Sequence, residues 1–149
     1  MPNAQHGMSN AQGGHMYDGK FDLEERLIEF AVRIIKVAGS LPNTLAGQHI
    51  AEQILRSGTS SAANYGEAQG AESRADFVHK IRIALKELRE TKVWLRIIVR
   101  AGLISSADCL QSLLKENDEV ISILFKSVET ARKNEKSGEK VSRPARSAE

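Results

Sequence analysis

The chain has 149 residues, 41% hydrophobic and 27% charged, with a formal net charge of +2 at pH 7; this suits one domain of soluble composition with its own core. A single cysteine, Cys109, excludes an intrachain disulfide framework and a multi-cysteine zinc site. No apolar run approaches the roughly 18 residues of a membrane helix, and the N-terminus lacks a signal-peptide apolar stretch, so a cytoplasmic protein without a membrane partner is expected.

Residues 1–20 are rich in Gly, Asn, Gln and Met, have no apolar period, and read as a disordered leader. The domain is expected over 21–133. Asp22 and Glu25 have capping-box spacing for a first helix over about 23–38, with Leu23, Leu27, Phe30, Ala31, Ile34 and Val37 on one face and Gly39 as left-handed cap. After the turn "SLPN", a second helix runs from Asn43 or Thr44 to about Ala68, stopping near Gly70.

Ser73 caps the third helix, and Asp76 sits three residues on, where its charge suits the dipole. Phe77, Ile81, Ala84, Leu88, Thr91, Leu95 and Ile98 then follow at spacings of 4 and 3, a heptad seam. "AGLI" ends it, with Gly102 as left-handed cap. Ser105 caps a fourth helix, whose stripe is Leu110, Leu113, Asn117, Val120, Leu124 and Val128. Asn117, set among apolar residues, is a candidate for fixing register. Residues 134–149 read as a mobile, basic tail. Short turns force sequence neighbours to pack antiparallel, so the expected fold is all-α, an up-down-up-down four-helix bundle.

"RSGTSSAANYGEA", residues 56–68, looks like a loop by composition. Yet Ile50 or Ala51, Ile54 and Leu55 upstream continue without a break through Gly58, Ser61 or Ala62, Tyr65 and Ala68. The period predicts a continuous helix whose small buried positions let a neighbour approach at the lower end of the usual 8–10 Å. The expected neighbour is the third helix, through Phe77 or Trp94. Asn64 and Glu67, at i and i+3, are further candidates for pairing across the bundle, completing a packing set of Gly58, Ser61, Asn64, Tyr65, Glu67, Phe77 and Trp94. Phe77, Trp94, Phe125 and the small-residue face offer more apolar surface than a slim bundle hides, so a homo-oligomer is expected.

Chemistry-bearing patterns are absent. "SGTSS" lacks the strand–turn–helix context of a nucleophile elbow, and "RSGTS" lacks the G-x-x-x-x-G-K of a phosphate loop. His49 and His79 have no E-x-x-H partner, so no di-iron site is supported. No catalytic residue, metal site or cofactor is expected. Charge is more informative. The third helix carries eight cations against Asp76, Glu87 and Glu90, whereas the fourth is acidic. Arg82, Lys86, Arg89, Arg96 and Arg100 fall on one stripe, with Lys92 beside it. This is a candidate nucleic-acid surface, RNA or DNA, working by backbone-phosphate contact because no aromatic interleaves the cations. The competing reading is a solvated face, or ion pairing with an acidic helix, including Asp118 and Glu119 of a neighbouring copy.

"LPNTLAGQHIAEQILRSGTSSAANYGEAQGAESRADFVHKIRIALKELRETKVWL", residues 41–95, resembles the four-helix-bundle proteins encoded in intervening sequences of bacterial 23S ribosomal RNA genes. The carrying elements are Q-x-x-R-S-G-T-S, A-x-N-x-x-E-A, S-x-x-D-F, and K-E-x-x-E-T with W-L. The resemblance implies an antiparallel four-helix bundle, ring-shaped homopentamers and no enzyme activity. The chain is also similar to the accessory protein of diversity-generating retroelements, which implies basic surfaces for RNA or DNA and for a reverse transcriptase.

Overall fold

The computed structural model describes residues 19–141, where the chain is helix and turn with no strand. The elements are α1 Gly19–Ser40, α2 Leu45–Gln69, α3 Arg74–Arg100 and α4 Ala107–Val141. The expected leader, apart from Gly19 and Lys20, and residues 142–149 of the expected tail lie outside the described residues. None of the described helices is long and apolar enough to cross a membrane.

Side chains and backbone fix the helix ends. Thr44 Oγ1 accepts from the Gly47 amide at 3.1 Å, and Ser73 Oγ accepts from the Asp76 amide at 3.1 Å; each satisfies an orphan donor of a first turn. α3 ends in a Schellman arrangement. The Leu103 amide reaches the Ile98 carbonyl and the Gly102 amide the Val99 carbonyl, both at 3.2 Å, with Gly102 at φ 61°. Gly39 is different: it lies inside α1, without positive φ, so α1 runs on to Ser40. Asp22 also falls within α1 rather than ahead of it. α4 opens at Ala107, one residue later than a Ser105 cap requires.

At its other end α4 continues to Val141 instead of stopping near residue 131. Residues 132–138 are exposed, so no apolar face holds this segment. Arg, Lys and Glu lose little side-chain freedom in a helix, and propensity extends the last turns where periodicity has already ended. The expected tail therefore begins as helix.

The apolar periods become the core. Leu27, Phe30 and Ile34 of α1, Ile54 of α2, Ile81, Leu88, Leu95 and Ile98 of α3, and Leu113, Val120 and Leu124 of α4 are buried to within 1%. α1 packs on α2 and α4, α2 on α3, and α3 on α4. Leu55 departs from the expected face: it is 40% exposed, and the α2 stripe runs through Ile50, Ile54, Gly58, Ser61 and Tyr65 instead.

Specific contacts fix the registers. Gly58 faces Ile34, and Gly66 approaches Glu24. Ser57 and Thr91, both fully buried, share a hydrogen bond of 3.0 Å between α2 and α3. Thirteen residues apart in sequence, Glu67 and Lys80 meet at 2.6 Å. Asn117 Nδ2 donates to the Leu88 carbonyl at 3.0 Å, tying α4 to the α3 backbone. Arg26 of α1 meets Glu116 and Glu119, and Arg33, two turns on, meets Ser112.

Candidate nucleic-acid interface and packing site

Burying Ile81, Ala84, Leu88, Thr91, Leu95 and Ile98 turns the opposite side of α3 outward. Arg82, Lys86, Arg89, Arg96 and Arg100 lie on that side, all exposed. Their spacings of 4, 3, 7 and 4 keep them within about 80° of one another around the helix. None of the five forms an ion pair among the described residues. Lys92 differs: it is half-buried, and its Nζ sits 2.7 Å from Asp118 Oδ1 of α4.

The nearby acids are already engaged. Arg56 of α2 pairs with Glu87 at 3.1 Å and with Glu90. Farther off, on the side of α4 that meets α1, Arg26 donates through Nε to Glu116 at 3.0 Å, and through Nη2 to Glu116 and Glu119 at 2.9 Å each. The Glu116 hydrogen bond, partly opposed by burial, holds the Arg26 guanidinium above its ordinary pKa. Asp118 is taken by Lys92. The outer stripe of α3 therefore keeps its charge, while the acids on its two flanks, Glu87 and Glu90 toward α2 and Asp118 toward α4, are neutralised within the fold. Two apolar side chains, Val93 at 52% exposure and Ile97 at 37%, stand among the cations.

The packing candidates separate into two groups. Gly58, Ser61 and Tyr65 face inward along α2. A Cβ on Gly58 would come within 2.5 Å of Ile34 Cγ2 and 3.0 Å of Ile34 Cβ, so the helix that exploits the missing side chain is α1, not α3. Ser61 is fully buried, and its hydroxyl has no protein partner. Glu67, Phe77 and Trp94 lie toward the α2–α3 side. Glu67 raises the Lys80 pKa through their hydrogen bond. Trp94 Nε1 donates to Glu90 at 3.2 Å, with His49 set edge-on at a ring distance of 6.0 Å. Phe77 is half-buried and lines an open groove with Tyr65, Ile123 and Lys126. Asn64 donates to its own helix at Ser60 O, 2.9 Å away, rather than across the bundle.

The small-residue face is thus consumed inside the chain. Sequence reasoning missed the Ser57–Thr91 bond; the signal was Ser57 lying on the same face as Ile54 and Ser61. Among the described residues, no group of three His, Cys, Asp or Glu is placed to hold a metal ion.

Tyr65 carries a pH signature. It is 5% exposed, and burial first, then the Glu24 carboxylate, pushes its phenol above the ordinary 10.0. The unfolded chain ionises Tyr65 more readily, so stability is intact below about pH 10 and declines as pH rises from there toward the folded value. Tyr65→Phe is expected to flatten this alkaline decline in Tm while leaving the neutral-pH transition cooperative. An alkaline limb with unchanged slope would contradict the assignment.

The family model described as 23S rRNA-intervening sequence protein matches residues 20–126. A search of curated proteins finds no match. Among solved structures, the chain is similar to a protein of unknown function from the S23 ribosomal protein family of Bacteroides thetaiotaomicron VPI-5482. The two are 39% identical, with a TM-score of 0.67 over 71% of this chain and 97% of that one. The family match spans all of α2 and α3, with nearly all of α1 and the first half of α4, and on that ground the chain belongs to the 23S rRNA-intervening sequence protein family.

Proposed function

We propose that the chain is a non-enzymatic, homo-oligomeric helical bundle that binds RNA or DNA through the outer stripe of α3. It would act alone or with a nucleoprotein partner such as a reverse transcriptase. The observation that carries this reading is the set of five exposed cations that form no ion pair among the described residues, flanked by Glu87, Glu90 and Asp118, which Arg56 and Lys92 already neutralise. The helix order is antiparallel, up-down-up-down: along α1 from Arg26 to Arg33, the partners on α4 run backward from Glu119 to Ser112. Likewise, Gly58 and Gly66 of α2 approach Ile34 and Glu24 in reverse order. The resemblance to ring-shaped relatives supports five copies.

A second reading rests on Val93 and Ile97. A phosphate backbone leaves such side chains uncovered, whereas a protein partner buries them, which favours a scaffold without nucleic-acid binding. Titration of the wild-type chain with unrelated RNA and duplex DNA across a salt series separates the two. Engaging all five cations on duplex DNA gives a log-log slope near −4 to −5, at about −0.9 per phosphate neutralised. Absence of salt-dependent binding would leave only the scaffold.

A further inference from the structure

Apart from Leu45, at the very start of α2, the exposed large apolar residues outside α3 fall into two unlike faces. On α1, Ile28, Val32 and Ile35 are 43%, 36% and 51% exposed, and their spacing of 4 and 3 sets them in one outward row. Leu55 of α2, 40% exposed, extends this row across the seam. It lies one turn before Gly58, whose close contact with Ile34 draws the two helices together there. Monomers scatter exposed apolar side chains singly, and a row continued across two helices marks a contact surface.

The rim of this seam is acidic. Glu25 and Glu29 of α1 and Glu52 of α2 are exposed and form no ion pair among the described residues; the adjoining cations are Lys36 and Arg56, the latter already held by Glu87 and Glu90. The second face is on α4. Phe125 is 49% exposed, an aromatic left in water. Lys126 adjoins it and Arg132 follows two turns on, both exposed and without ion pairs among the described residues, with Glu129 between them. Aromatic anchors framed by cations suit an apolar trough framed by acids.

We propose that copies of this chain associate head to tail, the acid-rimmed seam of α1 and α2 on one receiving Phe125 and its flanking cations on α4 of the next. The proposal rests on the self-association proposed above and names its two surfaces. Because the faces differ, the contact is heterologous and propagates until a ring closes. Neither face includes the cation row of α3, which stays available to a separate ligand.

The test uses two variants of the full chain, each altering one face at an exposed position: Phe125→Ala on α4 and Ile35→Arg on the seam. Circular dichroism verifies folding, and Ile35→Gln replaces Ile35→Arg if the charge disturbs it. Light scattering is expected to show an assembled wild type and each variant alone at 16.4 kDa. Mixed, the variants retain one competent pair of faces between them, so a species of two chains forms and nothing larger. Wild type at the mass of one chain would overturn the self-association itself. An assembled Phe125→Ala chain, or variants that do not combine when mixed, would overturn the assignment of faces alone.

Discussion

Gly58→Leu is expected to cost the fold about 1–3 kcal/mol, and possession of a good helix former at that position does not rescue it. Even Gly58→Ala is expected to destabilise. Alanine gains about 1 kcal/mol of helix propensity over glycine. Its methyl, however, would sit 2.5 Å from Ile34 Cγ2 and 3.0 Å from Ile34 Cβ. Those atoms lie next to the α1 backbone on a side chain with no exposure, so neither rotates away. α1 must move outward, and every contact along the α1–α2 seam loosens with it. Overpacking therefore outweighs propensity.

A double-mutant cycle isolates the cause. Ile34→Ala alone is expected to cost about 2–5 kcal/mol as a buried large-to-small change. In that background the Gly58→Ala penalty shrinks, with a coupling energy of about 0.5–3 kcal/mol. Denaturant midpoints at constant m-value supply the numbers. Gly58→Ala raising the midpoint in the wild-type background would mean that the two helices are not in this contact.

Much of this architecture was legible because helical periodicity reports burial directly. The α1 and α4 stripes, Ser73 as cap, Gly102 as left-handed terminator and the unbroken helix through "RSGTSSAANYGEA" all follow from local rules. What was illegible depended on the neighbour. Gly58 announces a close approach but not which helix makes it; α1 brings Ile34 there, and Phe77 and Trp94 lie elsewhere. Leu55 continues the apolar period as well as its neighbours do, yet the rotation of α2 leaves it on the outer border of the seam.

The cation stripe shows the same division. Spacing placed Arg82, Lys86, Arg89, Arg96 and Arg100 on one side of α3, but only the packed fold separates Lys92, held by Asp118, from the rest. Asp118 and Glu119, sequence candidates for pairing with a neighbouring copy, are occupied within the chain by Lys92 and Arg26. The overhang of α4 was hidden for a different reason: a solvated helix has no apolar period to read.

Replacing Arg89 and Arg96 together with Gln is expected to weaken nucleic-acid binding about 30-fold at 0.15 M salt, without loss of fold. Each phosphate contact contributes about 0.9 to the log-log salt slope, which between 0.15 and 1 M salt amounts to roughly fivefold in affinity. Both side chains are exposed and form no ion pair among the described residues, so removing their charge leaves no buried partner stranded. The weakening is expected to be uniform across sequences, since phosphate contacts position the protein and do not read bases. The most direct measurement is the salt slope of duplex-DNA affinity for the wild type and for Arg89→Gln/Arg96→Gln, taken with the assembled mass of each. The expected result is a slope flatter by about two in the double variant, at unchanged mass. An identical slope in both chains, or a double variant that falls apart into single chains, would contradict a nucleic-acid role for the outer face of α3.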